Sequence, residues 1–376
     1  MSGAFTRRAL LAGGFGAWAL AGCRHPVEGE YVVSAAGDAP ASFGVAIYAV
    51  SSQTVRSVVT GFRGHGLAAR STRPREVAVF GRRPGRFLAL VDLVEAEVLQ
   101  RIEAPTGRRF QGHGEFTPDG RWLLASEEDP DTGEGFIGLY DARELSRQGE
   151  LPTHGLGPHE LRLAPDGATV VVANGGLRTG HEPEAPPTNL DTMDSSLAYV
   201  ELSTGRLLEQ VRVSEPKSSL RHLGLAEDGT VVVGAQLQRE AVGHADVLPL
   251  VMVHRRGAPA RWLDDGLALV GALHDYVGSV AVAPGAHVVG LTSPRGNLAL
   301  FYDYERNVLL GSQRLADVCG LAGVAGGRFV LTASTGALAT VEATTPGALV
   351  GPLQRFASVR FDNHLLTVNP GQGSAS

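Results

Sequence analysis

Apolar and polar positions alternate along this chain in short runs broken by Gly, Pro, Asp and Asn, from Glu30 almost to the C-terminus. Glu160 to Ala164 alternates as a half-exposed strand does, Pro165-Asp166-Gly167 supplies a tight turn, and Thr169 to Ala173 is β-branched enough for a buried strand. The unit is a β-hairpin with a histidine at its entrance. Weaker copies recur from Gly112 to Ala125 and from Arg221 to Val233. A hairpin that repeats points to a repeat fold.

Taking the first residue of each innermost strand as a marker gives His65, His113, His159, His222, Ser279, Cys319 and His364. Their intervals bracket the roughly 40 to 50 residues of a four-stranded propeller blade. Two intervals are long and hold insertions, one from Arg178 to Met193 with Pro183, Pro186 and Pro187, the other around Arg239 to Pro249. Three strand segments, Tyr31 to Ala35, Gly44 to Val50 and Val55 to Thr60, precede the first marker, and only Leu365 to Asn369 follows the last. The pattern therefore predicts an all-β chain, a seven-bladed β-propeller whose last blade is closed by N-terminal and C-terminal strands. Such a closure leaves no sheet edge between the first and last blades. The single domain is expected over 24–370, with a disordered tail over 371–376.

Composition agrees with this pattern. The chain has 49 Gly and 21 Pro for turns and 43% hydrophobic residues for a core, and no long stretch carries a helical period. A net charge of −6 without a basic patch argues against nucleic acid as a partner. Residues 1–23 read as an export signal: Thr6-Arg7-Arg8 opens a twin-arginine-type segment, and the apolar stretch to Ala21 is too short to span a bilayer comfortably. Leu20-Ala21-Gly22-Cys23 resembles a lipobox, which makes Cys23 the lipidation site of an exported, periplasmic protein held to the membrane by lipid only. Ordinary secretion without lipid is the alternative, by the twin-arginine or the general secretory route. With Cys23 acylated, Cys319 has no partner for a disulfide.

The markers themselves carry the candidate chemistry. His65, His113, His159, His222 and His364 occupy equivalent places on innermost strands, so their imidazoles are expected to converge at one mouth of the channel. Neutral histidine is the commonest ligand for copper, iron or zinc. His154 is expected beside them on the approach to His159. Glu160, Asp275, Tyr276, Asp362 and Asn363 would add oxygen donors, and Cys319 is either a further ligand or a small buried filler. A structural reading stands alongside: a Gly-His step often bonds backbone or an Asp of its own blade. The histidine-to-proline spacing also differs by one residue between the second and third repeats, so a bulge could turn one side chain away. His181, His244, His254, His274 and His287 fall off the pattern and are read as surface or loop residues. No His-Glu-x-x-His, Gly-x-Ser-x-Gly, phosphate loop or Cys-x-x-Cys-His occurs, which argues against the hydrolase, kinase and cytochrome classes those motifs mark.

Phe62-Arg-Gly-His-Gly66, Gly112-His-Gly-Glu-Phe-Thr-Pro-Asp-Gly120, His154-Gly-Leu-Gly-Pro-His-Glu-Leu161, Val172-Ala-Asn-Gly-Gly176, Asn189-Leu-Asp-Thr-Met193, Thr292-Ser-Pro-Arg-Gly296 and Asp362-Asn-His-Leu365 together resemble the DUF1513 family of bacterial exported proteins. Phe361 stands where the family's terminal motif usually has Trp. The resemblance implies a YVTN-like or quinoprotein-like propeller. It also implies imelysin-like lipoproteins or a di-haem oxidoreductase-like protein as partners, because members tend to be encoded beside them in iron-responsive clusters. The sequence thus supports a periplasmic accessory protein binding iron or copper, or a complex of either, in iron acquisition. The alternatives are a redox enzyme holding a metal or quinone-like cofactor at the same mouth and a non-catalytic interaction scaffold.

Overall fold

Second and third strands of each repeat are almost uninterruptedly apolar, such as Val77-Ala78-Val79-Phe80 and Leu88-Ala89-Leu90-Val91, and every one of these residues is buried. A strand apolar on both faces must be covered on both, which a sheet achieves when it is sandwiched between two others. The computed structural model describes residues 29–180, 185–343, 348–349 and 352–370. The export segment with Cys23, the insertion residue His181 and the 371–376 tail lie outside the described residues.

Seven antiparallel sheets surround a central channel. Blade one runs from Gly64–Ala69 to Glu97–Glu103, blade two from Arg109–Phe116 to Arg147–Leu156, and blade three from Pro158–Leu163 to Leu207–Arg212. Blades four, five and six begin at Ser218–Leu225, Ser279–Val282 and Val318–Val324. Blade seven joins the chain ends: Phe361–Val368 is its innermost strand, followed outward by Tyr31–Ala36, Gly44–Ala49 and Thr54–Val59. The closing strand is longer than the five residues read from sequence, because it starts at Phe361.

The core lies between blades, as in the cluster of Val33, Val45 and Ile47 from blade seven with Val77, Val79 and Val91 from blade one. Burial falls off outward: Val77–Phe80 is fully covered, whereas Glu97–Glu103, the outermost strand of the same blade, alternates between exposed and half-buried. The second insertion carries a 3-10 turn at Arg239–Ala241, and a short helix, Leu267–Gly271, precedes blade five. No helix among the described residues is long and apolar enough to cross a membrane.

Candidate metal centre

The innermost strands are irregular where the histidines stand. Pairing with the second strand skips residues between Gly64 and Leu67, between Phe110 and Gly114, between Pro158 and Glu160, between Leu220 and His222, and across Asp362 to His364 opposite Ser34 and Ala36. An extra residue in one strand re-aims the side chains beside it. Here the bulges recur in all five histidine-bearing blades, so they rotate the imidazoles together. Small residues make room: a Cβ on Gly66 would lie 2.4 Å from Gly112 O, and one on Gly112 would lie 2.9 Å from the His65 ring. Gly112 also has φ +98°, a region side chains rarely adopt. Buried hydroxyls on second strands fix the backbone of the markers, with Ser126 bonding the carbonyls of both His113 (3.0 Å) and His159 (3.1 Å), and Ser34 that of His364 (2.8 Å).

The result is a knot of five imidazoles across the channel. Centroid separations include 4.9 Å for His65 and His113, 4.9 Å for His113 and His159, 4.7 Å for His159 and His222, 4.7 Å for His222 and His364, and 4.6 Å for His364 and His65. His65, His113 and His159 each offer one nitrogen such that all three lie within 4.8 Å of one another, and so do His113, His222 and His364. His113 belongs to both sets.

Outer partners hold one face of several rings. His65 Nδ1 is 3.4 Å from Asp362 Oδ1, His222 Nδ1 is 3.4 Å from Glu160 Oε2, and His364 Nδ1 is 3.4 Å from Ser279 Oγ. A carboxylate accepts, so Nδ1 of His65 and His222 carries the proton and Nε2 keeps its lone pair. This is the carboxylate–histidine arrangement that orients metal ligands. Nε2 of His113, Nε2 of His364 and both nitrogens of His159 have no hydrogen-bond partner, although each is buried. Burial, reinforced by repulsion between neighbouring rings, holds His113, His159, His222 and His364 well below the ordinary imidazole pKa. Burial also lowers His65, against the opposing pull of Asp362. Although burial alone would raise the Asp362 carboxyl, its bond to His65 and the charges of Arg82 and Arg63 leave it well below the usual carboxylate range. The set is therefore neutral near pH 7, the state in which imidazole binds a metal. Nitrogens of a tetrahedral site lie about 3.4 Å apart, inside the 4.8 Å within which the nitrogens of each set lie.

The knot divides the channel. On the side toward which the innermost strands run, a cavity of about 330 Å³ is lined by His113, His364, Glu115, Glu160, Arg162 and Ser279 among others. On the side where those strands begin, a larger space of about 780 Å³ is lined by Arg63, Arg82, Arg83, Arg221, Arg295 and Tyr276 among others.

The family model for "Protein of unknown function (DUF1513)" matches residues 58–368, which takes in the whole knot from His65 to His364. The chain belongs to the DUF1513 family. Among solved structures it is similar to the Kuenenia stuttgartiensis hydrazine synthase, with a TM-score of 0.57 and 14% identity over 84% of this chain and 90% of that one, a likeness of fold alone. No curated protein matches.

In this DUF1513 chain several expected residues stand elsewhere. The imidazoles lie inside the channel rather than at its mouth: His65, His113 and His159 are each 4% exposed and His222 is 1% exposed. His154 does not join them. It sits on Arg147–Leu156, the outermost strand of blade two, with φ +59° and Nε2 2.8 Å from Gly205 O, and so ties that strand to blade three. Asp275 is engaged by Arg239 at 2.9 and 2.6 Å, which pins the second insertion. Tyr276 and Asn363 bond to each other at 3.0 Å and line the larger chamber, away from the free nitrogens. Cys319 reaches the carbonyls of Phe361 (3.5 Å) and Asp362 (3.3 Å), and burial pushes its thiol pKa far up, so it packs as a small buried residue. Glu160 is at the knot. His254 is no surface residue: it is 2% exposed in the third strand of blade four, with Nδ1 2.7 Å from the Tyr199 hydroxyl. The arginines of the larger chamber were not singled out from sequence, yet Arg63 and Arg221 stand two residues and one residue before marker histidines.

Proposed function

We propose that the five-histidine knot binds a transition-metal ion, making this chain a periplasmic metal-binding accessory of iron acquisition. The observation that carries the reading is the group of unpartnered buried nitrogens on His113, His159 and His364, within two three-histidine sets that share His113. Buried polar atoms without partners are costly, and one ion compensates several of them together. The donor set favours copper and zinc over ferrous iron. The iron role draws on what the family resemblance implies, that members tend to be encoded in iron-responsive clusters beside imelysin-like lipoproteins and a di-haem oxidoreductase-like protein, which also supports these as partners. A cation would approach through the smaller cavity, where Glu115 and Glu160 lie.

Metal analysis of protein purified from its own periplasm, with calorimetric titration of the metal-free protein by Cu²⁺, Zn²⁺ and Fe²⁺, tests the reading. Stoichiometric metal is expected, with binding lost in a His113→Ala, His159→Ala double variant. No binding, or equal binding by both proteins, ends it. Export and anchoring are tested separately: wild type should fractionate with membranes and Cys23→Ser with the soluble periplasm, and identical fractionation would exclude the lipid.

A further inference from the structure

The larger chamber carries more positive charge than its walls neutralise. Asp362 bonds Arg63 at 3.0 Å and approaches Arg82 at 3.5 Å, but it is also the partner of His65. Asp317, the other carboxylate in the wall, is bonded by the Ser334 hydroxyl. Arg83 feels the charge of the buried Glu128 behind the wall, which leaves Arg221 and Arg295 with no carboxylate partner among the described residues. Arg221 is only 7% exposed, and its Nε has no hydrogen-bond partner. Arg295 lies over the Tyr276 ring, 4.8 Å from its centroid, and the Tyr276 oxygen accepts from Asn363 Nδ2, so its proton is available to a ligand. A buried guanidinium without an anion is costly.

We propose that this chamber is a binding site for a small polycarboxylate, an anion with two or more carboxylates set apart on a short carbon frame. Each guanidinium is a planar fork matched to one carboxylate. Arg83 belongs to blade one, Arg221 to blade four and Arg295 to blade five, so the forks stand around the channel rather than converging on one point. A single phosphate rewards convergence, whereas a ligand with separated carboxylates answers several forks at once. The volume of about 780 Å³ admits such a frame. The site is chemically distinct from the histidine knot below it and needs no metal.

Calorimetric titration of the metal-free full-length protein at low ionic strength tests the proposal, with tricarballylate, acetate and inorganic phosphate as probes. One tricarballylate per chain is expected, bound at least about 10-fold more tightly than phosphate or acetate. Arg221→Gln is expected to weaken it about 10-fold or more, the loss of one charge-assisted pair. Arg295→Ala changes an exposed residue, so it keeps the fold and is expected to weaken binding several-fold; it carries the test if Arg221→Gln does not fold. Absence of tricarballylate binding, phosphate binding as tight, or wild-type affinity in the folded variants would overturn the proposal. Because the protein is metal-free throughout, the result stands whatever becomes of the metal reading.

Discussion

Nδ1 of His222 lies 3.4 Å from Oε2 of Glu160, across the junction of blades four and three. The same oxygen accepts the Leu223 N–H at 3.2 Å and is 3.8 Å from His113 Nδ1, while Arg162 holds the other oxygen at 3.0 Å. That carboxylate thus orients the His222 ring, leaving its Nε2 available, and sets a negative charge beside His113. Groups that orient a metal ligand typically contribute about 10- to 100-fold to metal affinity. Glu160→Gln, equal in size but uncharged, is expected to weaken Cu²⁺ or Zn²⁺ binding by that factor without loss of secondary structure. Calorimetry alongside circular dichroism checks it, and an unchanged affinity would count against the orienting role.

The glycines flanking the histidines give a second expectation. A Cβ on Gly112 would meet His65 Cδ2 at 2.9 Å in a backbone conformation that alanine resists. Gly112→Ala is expected to displace the His65 ring and to cost about 1 to 3 kcal/mol of stability. It should also lower metal affinity, although residue 112 offers no ligand atom. Gly107→Ala is the control for backbone strain, because Gly107 also has a positive φ, +76°, with no atom within 4 Å of a Cβ. If Gly112→Ala matches Gly107→Ala in both stability and metal affinity, crowding at the ring is not the reason for the glycine.

Much of this was legible in the chain. The seven blades followed from apolar strands, turns and markers, and the shared last blade from counting strands at the two ends. The convergence of the histidines followed from position, but their depth did not, because the bulges that turn them inward leave only a one-residue change of spacing between repeats. His154 was expected on the approach to His159, yet its strand runs on to Leu156 and carries it outward. The arginine chamber was hidden because its members come from three blades and are unremarkable one at a time. The burial of His254 depends on Tyr199, a neighbour 55 residues away.

Glu128 sets a pH dependence independent of the histidines. It is 3% exposed, and burial pushes its carboxyl up to about 7 against the pull of Arg83. An acid raised in the folded state binds its proton there while the unfolded chain has lost it. The native state is therefore favoured below about pH 4.5, and this contribution drains away as pH rises to about 7. The shift corresponds to about 3 kcal/mol. Glu128→Gln lacks this titration, so wild type should lose stability relative to the variant between about pH 4.5 and 7 and hold a constant difference above. Denaturant unfolding of both proteins across that range decides it, and parallel curves would remove Glu128 as the cause.

The ring closure makes the last expectation. Phe361–Val368 pairs antiparallel with Tyr31–Ala36, from Tyr31 opposite Val368 to Ala36 opposite Phe361. Leu365 completes a cluster with Val32 and Tyr48 of its own blade and Val330 and Leu338 of blade six. Removing 361–376 would expose the Tyr31–Ala36 edge, uncover that cluster and delete His364, so no other part of the fold compensates. Such a truncation is expected to lose cooperative unfolding, whereas removing 371–376 should leave the thermal midpoint within about 1 °C. Ser34→Ala is the graded version. It deletes the buried hydroxyl that donates to His364 O at 2.8 Å and is expected to cost about 1 kcal/mol, with the same denaturant slope as wild type. If the 361–376 truncation instead unfolds cooperatively at the wild-type midpoint, the seventh blade is not what closes the ring, and the histidine knot would have to be held by six blades alone.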